Sequence, residues 1–551
     1  MKLLNDQLAE ILLQEDYVHD TDIREAIQRS DARHTSLTEE LVSSGLITKD
    51  LLGQAIAEHF GVPYADLNTK IPAKEQVLKI PEDVARAYRV VLFQYGEKKG
   101  TVIATDTPDE IRSRGSEFAE LLGVAEVTFA YSLSEDIDAI LNVYRRTLAT
   151  RFVKIIEAKG RVAPEIVDEI LADALLYRAS DIHFEPQESE LVIRFRIDGV
   201  LQEAGRIEKQ YYENILNRVK VLAHLRTDEH MRAQDGAIRY KHDVHTVDLR
   251  VSVAPILDGE KVVIRILSEY VRNFSLTDLG LSEHDLAFVN EASKKPFGMM
   301  LATGPTGSGK TTTMYSVLKL LNRPEVNIAT IEDPVEYKIA GVNHIQVNER
   351  ADITFARGLR SIARQDPDII LVGEIRDHET AEISVNAALT GHLLLSTFHA
   401  NDAATAIPRL LEMDVEPFLL ASTLELIIAQ RLVRKLCDSC RHSSKSKREL
   451  LRKLIPRPER YFPEESVTLY QARGCTTCNG TGYRGRIGVF ELIRVTRELQ
   501  EFMVKRPSSL QIWELARKQG AHSLFDDGIE KVRSGVTTLE EVLRVVSPPS
   551  E

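Results

Sequence analysis

The apolar positions of this chain change their period repeatedly, and each change marks an element. Met299-Met300-Leu301-Ala302 is a short unbroken apolar run. Beyond a glycine-rich stretch, Met314, Val317, Leu318 and Leu321 recur at helical spacing. The pattern predicts a buried strand that feeds a helix over 311–321. The same alternation fills the segment from about 281 to 435. Ile328-Ala329-Thr330-Ile331, Ile369-Ile370-Leu371-Val372 and Leu393-Leu394-Leu395-Ser396-Thr397 read as buried strands between helices, the pattern of a doubly wound α/β core.

The flanking segments are patterned differently. In 1–66, Leu4, Leu8, Ile11 and Leu12 share a helical face, and Leu37, Leu41, Leu51, Ala55 and Ile56 recur in a similar way, punctuated by Gly45 and Gly61. Such faces build a small helical core or take a partner helix. In 67–148, Val90-Val91-Leu92-Phe93 and Thr101-Val102-Ile103-Ala104 read as strands joined by the turn Tyr95-Gly96-Glu97-Lys98-Lys99-Gly100, with a helix around 137–148. From 149 to 270, a helix over 165–176 with Pro164 at its start precedes three strands: Leu191 to Ile197, closed by the turn Asp198-Gly199, Val247 to Val253, and Val262 to Leu267. A linker over 268–280 leads into the α/β core at 271–435. A cysteine-bearing insertion at 436–482 and a helical segment at 483–551, with helices around 495–505, 509–518 and 537–546, complete the chain.

Composition narrows the class. At 551 residues the chain is too long for one core, and 43% hydrophobic with 28% charged residues is ordinary for a globular protein. The net charge of −13 argues against a nucleic-acid coat, and no nucleic-acid partner is expected. The start Met1-Lys2-Leu3-Leu4-Asn5-Asp6 lacks the apolar core of a signal peptide, and no run of about 18 apolar residues predicts a membrane span. Four cysteines do not suggest a disulfide scaffold, so the cytoplasm is the expected compartment.

Chemistry concentrates at Gly304-Pro305-Thr306-Gly307-Ser308-Gly309-Lys310-Thr311, which matches the phosphate-cradling pattern G-x-x-x-x-G-K-[ST] at every fixed position. Main-chain N–H groups and a helix N-terminus converge on a phosphate there, with Thr312 continuing the first turn. Lys310 would reach the β- and γ-phosphates and Thr311 would ligate Mg²⁺. The chain is therefore expected to bind a nucleoside triphosphate with Mg²⁺. The strand ending at Val372 runs into Gly373-Glu374. Gly373 stands where a strand-end Asp is usual, which leaves Glu374 to manage water or metal; a solvated strand-end acid is the alternative. Glu332 and Asp333, before Pro334, should emerge at the carboxyl edge of the same sheet, with Glu332 a second candidate for orienting water and a turn acid the alternative. His392 and His399 flank the strand at 393–397, and could sense the γ-phosphate or be structural. Arg194 and Arg196, two apart on a strand, face one side and could complete a site as arginine fingers or line a solvated face.

Cys437-x2-Cys440 and Cys475-x2-Cys478 use every cysteine. Two such knuckles suggest a four-sulfur, structural Zn²⁺ site; free thiols or disulfides are the other reading. Residues 431–460 carry 11 Lys or Arg against 3 acids. That run is a solvated face, or a contact for an acidic partner or anionic lipid heads, with nucleic acid third because no aromatics interleave for base stacking.

With these residues in view, the chain resembles the secretion ATPases of type IV pilus assembly and type II secretion, over roughly 150–548. Ala179 to Pro186, Arg194-Phe195-Arg196-Ile197-Asp198-Gly199, Gln234-Asp235-Gly236 and Gly259-Glu260-Lys261 are similar to the family's domain before the motor. Gly304–Thr311 resembles its Walker A loop, Glu332 to Glu336 its aspartate box, Asp366 to Glu374 its atypical Walker B, and Gly391 to Asp402 its histidine box. The cysteine pairs resemble the assembly and secretion branch rather than the retraction branch. More weakly, residues 1–148 resemble that branch's N-terminal domains. The resemblance implies a RecA-like P-loop motor core preceded by a mixed α/β PAS-like domain and N-terminal helical and α/β domains, with a C-terminal zinc-bearing helical region. It implies a homo-hexamer that hydrolyses Mg²⁺-ATP at sites completed by a neighbouring domain. That hexamer would be cytoplasmic and held at the inner membrane by a platform protein and cytoplasmic assembly proteins. Arg194 is by resemblance a γ-phosphate sensor, and Arg196 would act with it. Lys209 stands where relatives can carry a second sensing arginine. Relatives that bind cyclic di-GMP do so through an Arg-Leu-Gly start, where this chain reads His34-Thr35-Ser36-Leu37.

Overall fold

The computed structural model describes residues 5–14, 17–33, 37, 41, 46–67, 70, 72–96, 100–141, 144, 152, 155, 156, 162–242, 245–267, 275–475 and 478–549. Leu4, Gly45, His34 to Ser36, residues 97–99 of the predicted turn, residues 142, 143 and 145–148 of the predicted helix, and 268–274 of the predicted linker lie outside them. The chain forms two compact units, one of 1–147 with 437–440 and 473–482, the other of 148–436 with 441–472 and 483–551.

In the first unit, the helices Asn5–Gln14, Asp20–Arg33 and Lys49–His59 bury Leu8, Ile11, Leu12, Ile23, Leu52 and Ile56 together. Leu51, expected on the core face, is exposed, and Leu52 takes its place. The helix begins after the Thr48 cap, and Leu52, Ala55 and Ile56 then stack at the spacing of one helical face. Strands β1 (Val90–Gln94), β2 (Val102–Thr105) and β3 (Thr128–Tyr131) form a small sheet in that order, β1 antiparallel and β3 parallel to β2.

The second unit contains a six-stranded antiparallel sheet: β4 (Asp181–Pro186), β5 (Glu190–Ile197), β6 (Val200–Glu208), β7 (Gln234–His242), β8 (His245–Ile256) and β9 (Gly259–Leu267), ordered β6-β5-β4-β9-β8-β7. Helices Val162–Leu176 and Tyr212–Leu222 supply Ile166, Ile170, Ile215 and Val219 to its core, so the predicted helix at 165–176 begins three residues earlier than expected.

The same unit contains the core sheet: β10 (Gly298–Thr303), β11 (Ile328–Glu332), β12 (Val342–Gln346), β13 (Ile369–Ile375), β14 (Leu393–Phe398) and β15 (Leu424–Leu436). A hairpin of β16 (Arg441–Lys447) and β17 (Ser466–Ala472) follows, then β18 (Tyr483–Arg494), which pairs antiparallel with β15. The core order is β12-β11-β13-β14-β10-β15-β18, parallel up to β15. Met299 and Leu301 point into one core and Met300 and Ala302 into the other, as expected of a strand buried on both faces.

Strand β18 falls within the segment expected to be helical. Its inner half, Val489-Phe490-Glu491-Leu492-Ile493, is buried, because it pairs with the edge of β15 away from β10 and the helix Leu524–Arg533 packs against it. The expected helix at 509–518 is present as Ser509–Lys518; those around 495–505 and 537–546 are present, shorter, as Arg497–Met503 and Leu539–Val545; Leu524–Arg533 is additional. Among the described residues no helix is long and apolar enough to cross a membrane.

Candidate active site

The phosphate-loop sequence lies between β10 and the helix Lys310–Leu321, at the carboxyl edge of the parallel strands. Its glycines are required by geometry. Gly304, Gly307 and Gly309 have φ of 149°, 78° and 89°, conformations that side chains disfavour. A Cβ on Gly304 would also stand 2.6 Å from both the Gln430 carbonyl oxygen and Ser308 Oγ. Gln430, buried on β15, clamps the loop: its Nε2 donates to Ser308 O at 2.7 Å, and its Oε1 accepts from Thr313 Oγ1 at 2.7 Å. Lys310 Nζ donates to the carbonyls of Gly304 (2.9 Å) and Pro305 (3.1 Å), so its ammonium curls over the loop. Burial pushes Lys310 below the usual lysine range, with the Glu374 charge opposing that fall. The buried Ser308 Oγ has no partner among the described residues. An unsatisfied hydroxyl, a desolvated ammonium and the free N–H groups of a helix start fit a bound polyphosphate.

Glu374 sits near the end of β13. The ladder between β13 and β14 is irregular between Val372 and Ile375, and such a bulge re-aims the side chain at that point. A Cβ on Gly373 would lie 3.2 Å from Glu332 Cα, which explains glycine in place of the usual acid. Glu374 Oε2 lies 3.0 Å from His399 Nε2, and its other oxygen pairs with Arg376. Burial raises the Glu374 pKa, but Arg376 and His399 outweigh it and hold the carboxyl below the usual carboxylate range.

Glu332 ends β11, as expected, but its carboxylate is enclosed. Tyr315, from the phosphate-loop helix, donates its hydroxyl to Oε2, Thr330 Oγ1 donates to Oε1 at 2.6 Å, and His344 Nδ1 lies 3.0 Å from Oε1. His344 Nε2 accepts from the Ile339 N–H at 3.2 Å, which puts the ring proton on Nδ1, toward Glu332. Asp333 beside it is exposed. His392 lies at the opposite edge of the sheet and bonds the Ala387 carbonyl at 2.7 Å, whereas His399 joins Glu374.

Arg194 and Arg196 lie on β5, paired with acids of β4: Arg194 with Glu185 at 2.7 Å and Arg196 with Asp181 at 3.8 Å. Burial opposes ionisation of Glu185, yet hydrogen bonds from Arg194 and Lys261 bring its pKa down to about 2. Arg250 of β8 reaches the core: its Nη2 donates to Val335 O at 2.6 Å, just beyond β11.

The four cysteines converge in the first unit, all free, with their Sγ atoms within 4.8 Å of one another. The Cys437–Cys475, Cys440–Cys478 and Cys475–Cys478 sulfurs are 3.7, 3.8 and 3.7 Å apart. Four thiolates at about 2.3 Å from one tetrahedral zinc would be spaced by about 3.8 Å. The N–H groups of Cys475 and Gly482 donate to Cys478 Sγ at 3.1 and 3.2 Å, as to a thiolate ligand.

Sequence reasoning did not single out Gln430, Tyr315, Thr330 or His344, and gave Arg250 only as one of many arginines. Gln430 had a signal, a polar residue ending the apolar run Leu426-Ile427-Ile428-Ala429. Tyr315 had none, since it lies among the apolar positions of its helix.

Known proteins place this arrangement. The sequence profile described as Type II/IV secretion system protein matches residues 157–544. The Type IV pilus assembly ATPase PilB of Myxococcus xanthus is 37% identical, over 99% of this chain and 100% of that one. PilB of Thermus thermophilus is 39% identical over 92% of this chain, and the match spans 58% of the Thermus protein. Type II secretion system protein E of Pseudomonas aeruginosa is 46% identical over 69% of this chain and 74% of its own. The ATPase DotB of Legionella pneumophila shares the fold, with a TM-score of 0.52 at 19% identity over 70% of this chain and 95% of that one. The chain therefore belongs to the Type II/IV secretion system protein family and is one of its ATPases.

Proposed function

We propose that the chain is a hexameric Mg²⁺-ATP-driven motor for type IV pilus assembly, working on the cytoplasmic face of the inner membrane against a platform protein. The phosphate loop carries this reading, because its unsatisfied groups and glycine conformations suit a nucleotide. Lys310 and the loop amides hold the phosphates, Thr311 holds Mg²⁺, and Thr312 continues the first turn. Glu374, oriented by His399 and Arg376, polarises the attacking water. Glu332 steadies the far side of the site. Arg194 and Arg196 leave their β4 acids to meet the γ-phosphate of a neighbouring subunit. Cys437, Cys440, Cys475 and Cys478 hold Zn²⁺ as a closed structural site. The pilus role is favoured over type II secretion by coverage: the PilB relatives match 92–99% of the chain, the secretion ATPases about 70%. The domain limits follow the sequence reading, with 149–270 preceding the motor at 271–435. Steady-state ATP hydrolysis by wild type and Lys310→Ala tests the site. Turnover should vanish in the variant while its melting temperature holds; substantial remaining activity would refute the assignment.

A further inference from the structure

We propose that Arg431 is a second phosphate-binding cation of the nucleotide site, acting from within the same subunit beside Lys310. This rests on the nucleotide reading of the loop.

Arg431 follows Gln430, the loop clamp. Ala429 of β15 lies opposite Thr303 of β10, so Arg431 stands abreast of the first residues of the loop. A Cβ on Gly304 would be 3.2 Å from Arg431 Nη1. The guanidinium is half-buried, and its partners are carbonyls: Nη2 donates to Asn401 O at 2.9 Å and Nη1 to Gln430 O at 3.3 Å. Among the described residues no carboxylate oxygen lies within ion-pair distance of it. Other arginines of this region differ: Arg434 pairs with Glu541 at 2.8 Å, and Arg376 pairs with Glu374.

A half-buried cation with no carboxylate in direct contact is costly unless an anion arrives. Burial lowers the Arg431 pKa against the pull of Asp402 and Glu491, and the Arg431 charge helps lower that of Lys310. Two cations that disfavour each other thus flank a loop with an orphaned Ser308 hydroxyl. A polyphosphate relieves all three, and a guanidinium can grip two of its oxygens at once. The Asn401 contact adds a consequence. Asn401 follows His399 by two residues, and His399 touches Glu374. Arg431 thereby joins the phosphate-binding loop to the segment that orients the water-activating acid.

The test is equilibrium binding of ADP and of a non-hydrolysable ATP analogue, with Mg²⁺, to full-length wild type, Arg431→Gln, Arg431→Lys and Lys310→Ala. Arg431→Gln should bind the ATP analogue about tenfold to hundredfold more weakly, as expected for losing a charged hydrogen bond. ADP should lose less, Arg431→Lys should recover part of the loss, and the nucleotide-free melting temperature should not move. Unchanged affinity in Arg431→Gln overturns the proposal. If Lys310→Ala loses binding and Arg431→Gln does not, only this inference falls; if Lys310→Ala also binds normally, the nucleotide reading fails. Should Arg431→Gln not fold, phenylglyoxal labelling of the wild-type chain, read by mass spectrometry, decides. The ATP analogue should protect Arg431 where adenosine does not, and equal labelling with both contradicts the proposal.

Discussion

Strands β11 and β13 lie side by side, and each brings a glutamate to the carboxyl edge of one sheet, yet the two carboxylates have opposite surroundings. The Glu332 side chain is 3% exposed and accepts from three side chains. The Glu374 side chain is 14% exposed, bonds one histidine and one arginine, and carries a charge that Lys310 feels. Position at a strand end tells where the backbone delivers an acid. What closes around that acid decides whether water and a phosphate can meet it. Glu374 keeps the access that its proposed role needs, whereas Glu332 ties Tyr315 of the phosphate-loop helix to the sheet.

Substitution should separate the two. Glu374→Gln should cut kcat by about 10²–10⁴, the range of a lost general base, while ATP affinity and melting temperature stay near wild type. Glu332→Gln places an amide among three donors, and leaving buried groups unpaired should cost about 3 kcal/mol of stability, read by denaturant unfolding. A Glu332→Gln variant as stable as wild type would erase the contrast.

A third glutamate of the same sheet sharpens it further. Glu491 of β18 is buried, accepting from the N–H groups of Ala403 (2.8 Å) and Leu524 (3.4 Å) at two helix starts. Burial, reinforced by Asp402, raises its pKa to about 7 against the pull of those N–H groups and of Arg431. A carboxyl whose pKa rises on folding stabilises most below its unfolded value near 4.5, and that contribution is lost as pH rises through about 7. Wild type should therefore lose on the order of 2 kcal/mol relative to Glu491→Gln between pH 5 and pH 8. Parallel stability profiles for the two proteins would contradict the burial argument.

Much of the fold is legible in local pattern. The strand before the phosphate loop, the helix after it and the paired cysteine knuckles are written in a few neighbouring residues, and the structure forms them. Partnerships between distant residues are not legible. Gln430 meets Ser308 across 122 positions, and its role appears only when β15 docks on β10. Arg431 reads in sequence as one cation of a basic run, because charge counting ignores which members turn inward. Strand β18 was hidden because its burial comes from β15 and the helix Leu524–Arg533, not from a strict alternation of its own. Glu332 and Glu374 looked alike for the same reason: their difference lies in Tyr315, His344, His399 and Arg376, which are brought to them by other elements.

The decisive experiment is equilibrium binding of ATP, with magnesium, to the purified full-length chain across a range of protein concentrations that spans its assembly. Saturable binding that Lys310→Ala abolishes is the expected result. A wild-type chain with no affinity for ATP at any concentration would contradict the reading of the glycine-rich loop, and with it the roles given to Glu374, Glu332 and Arg431.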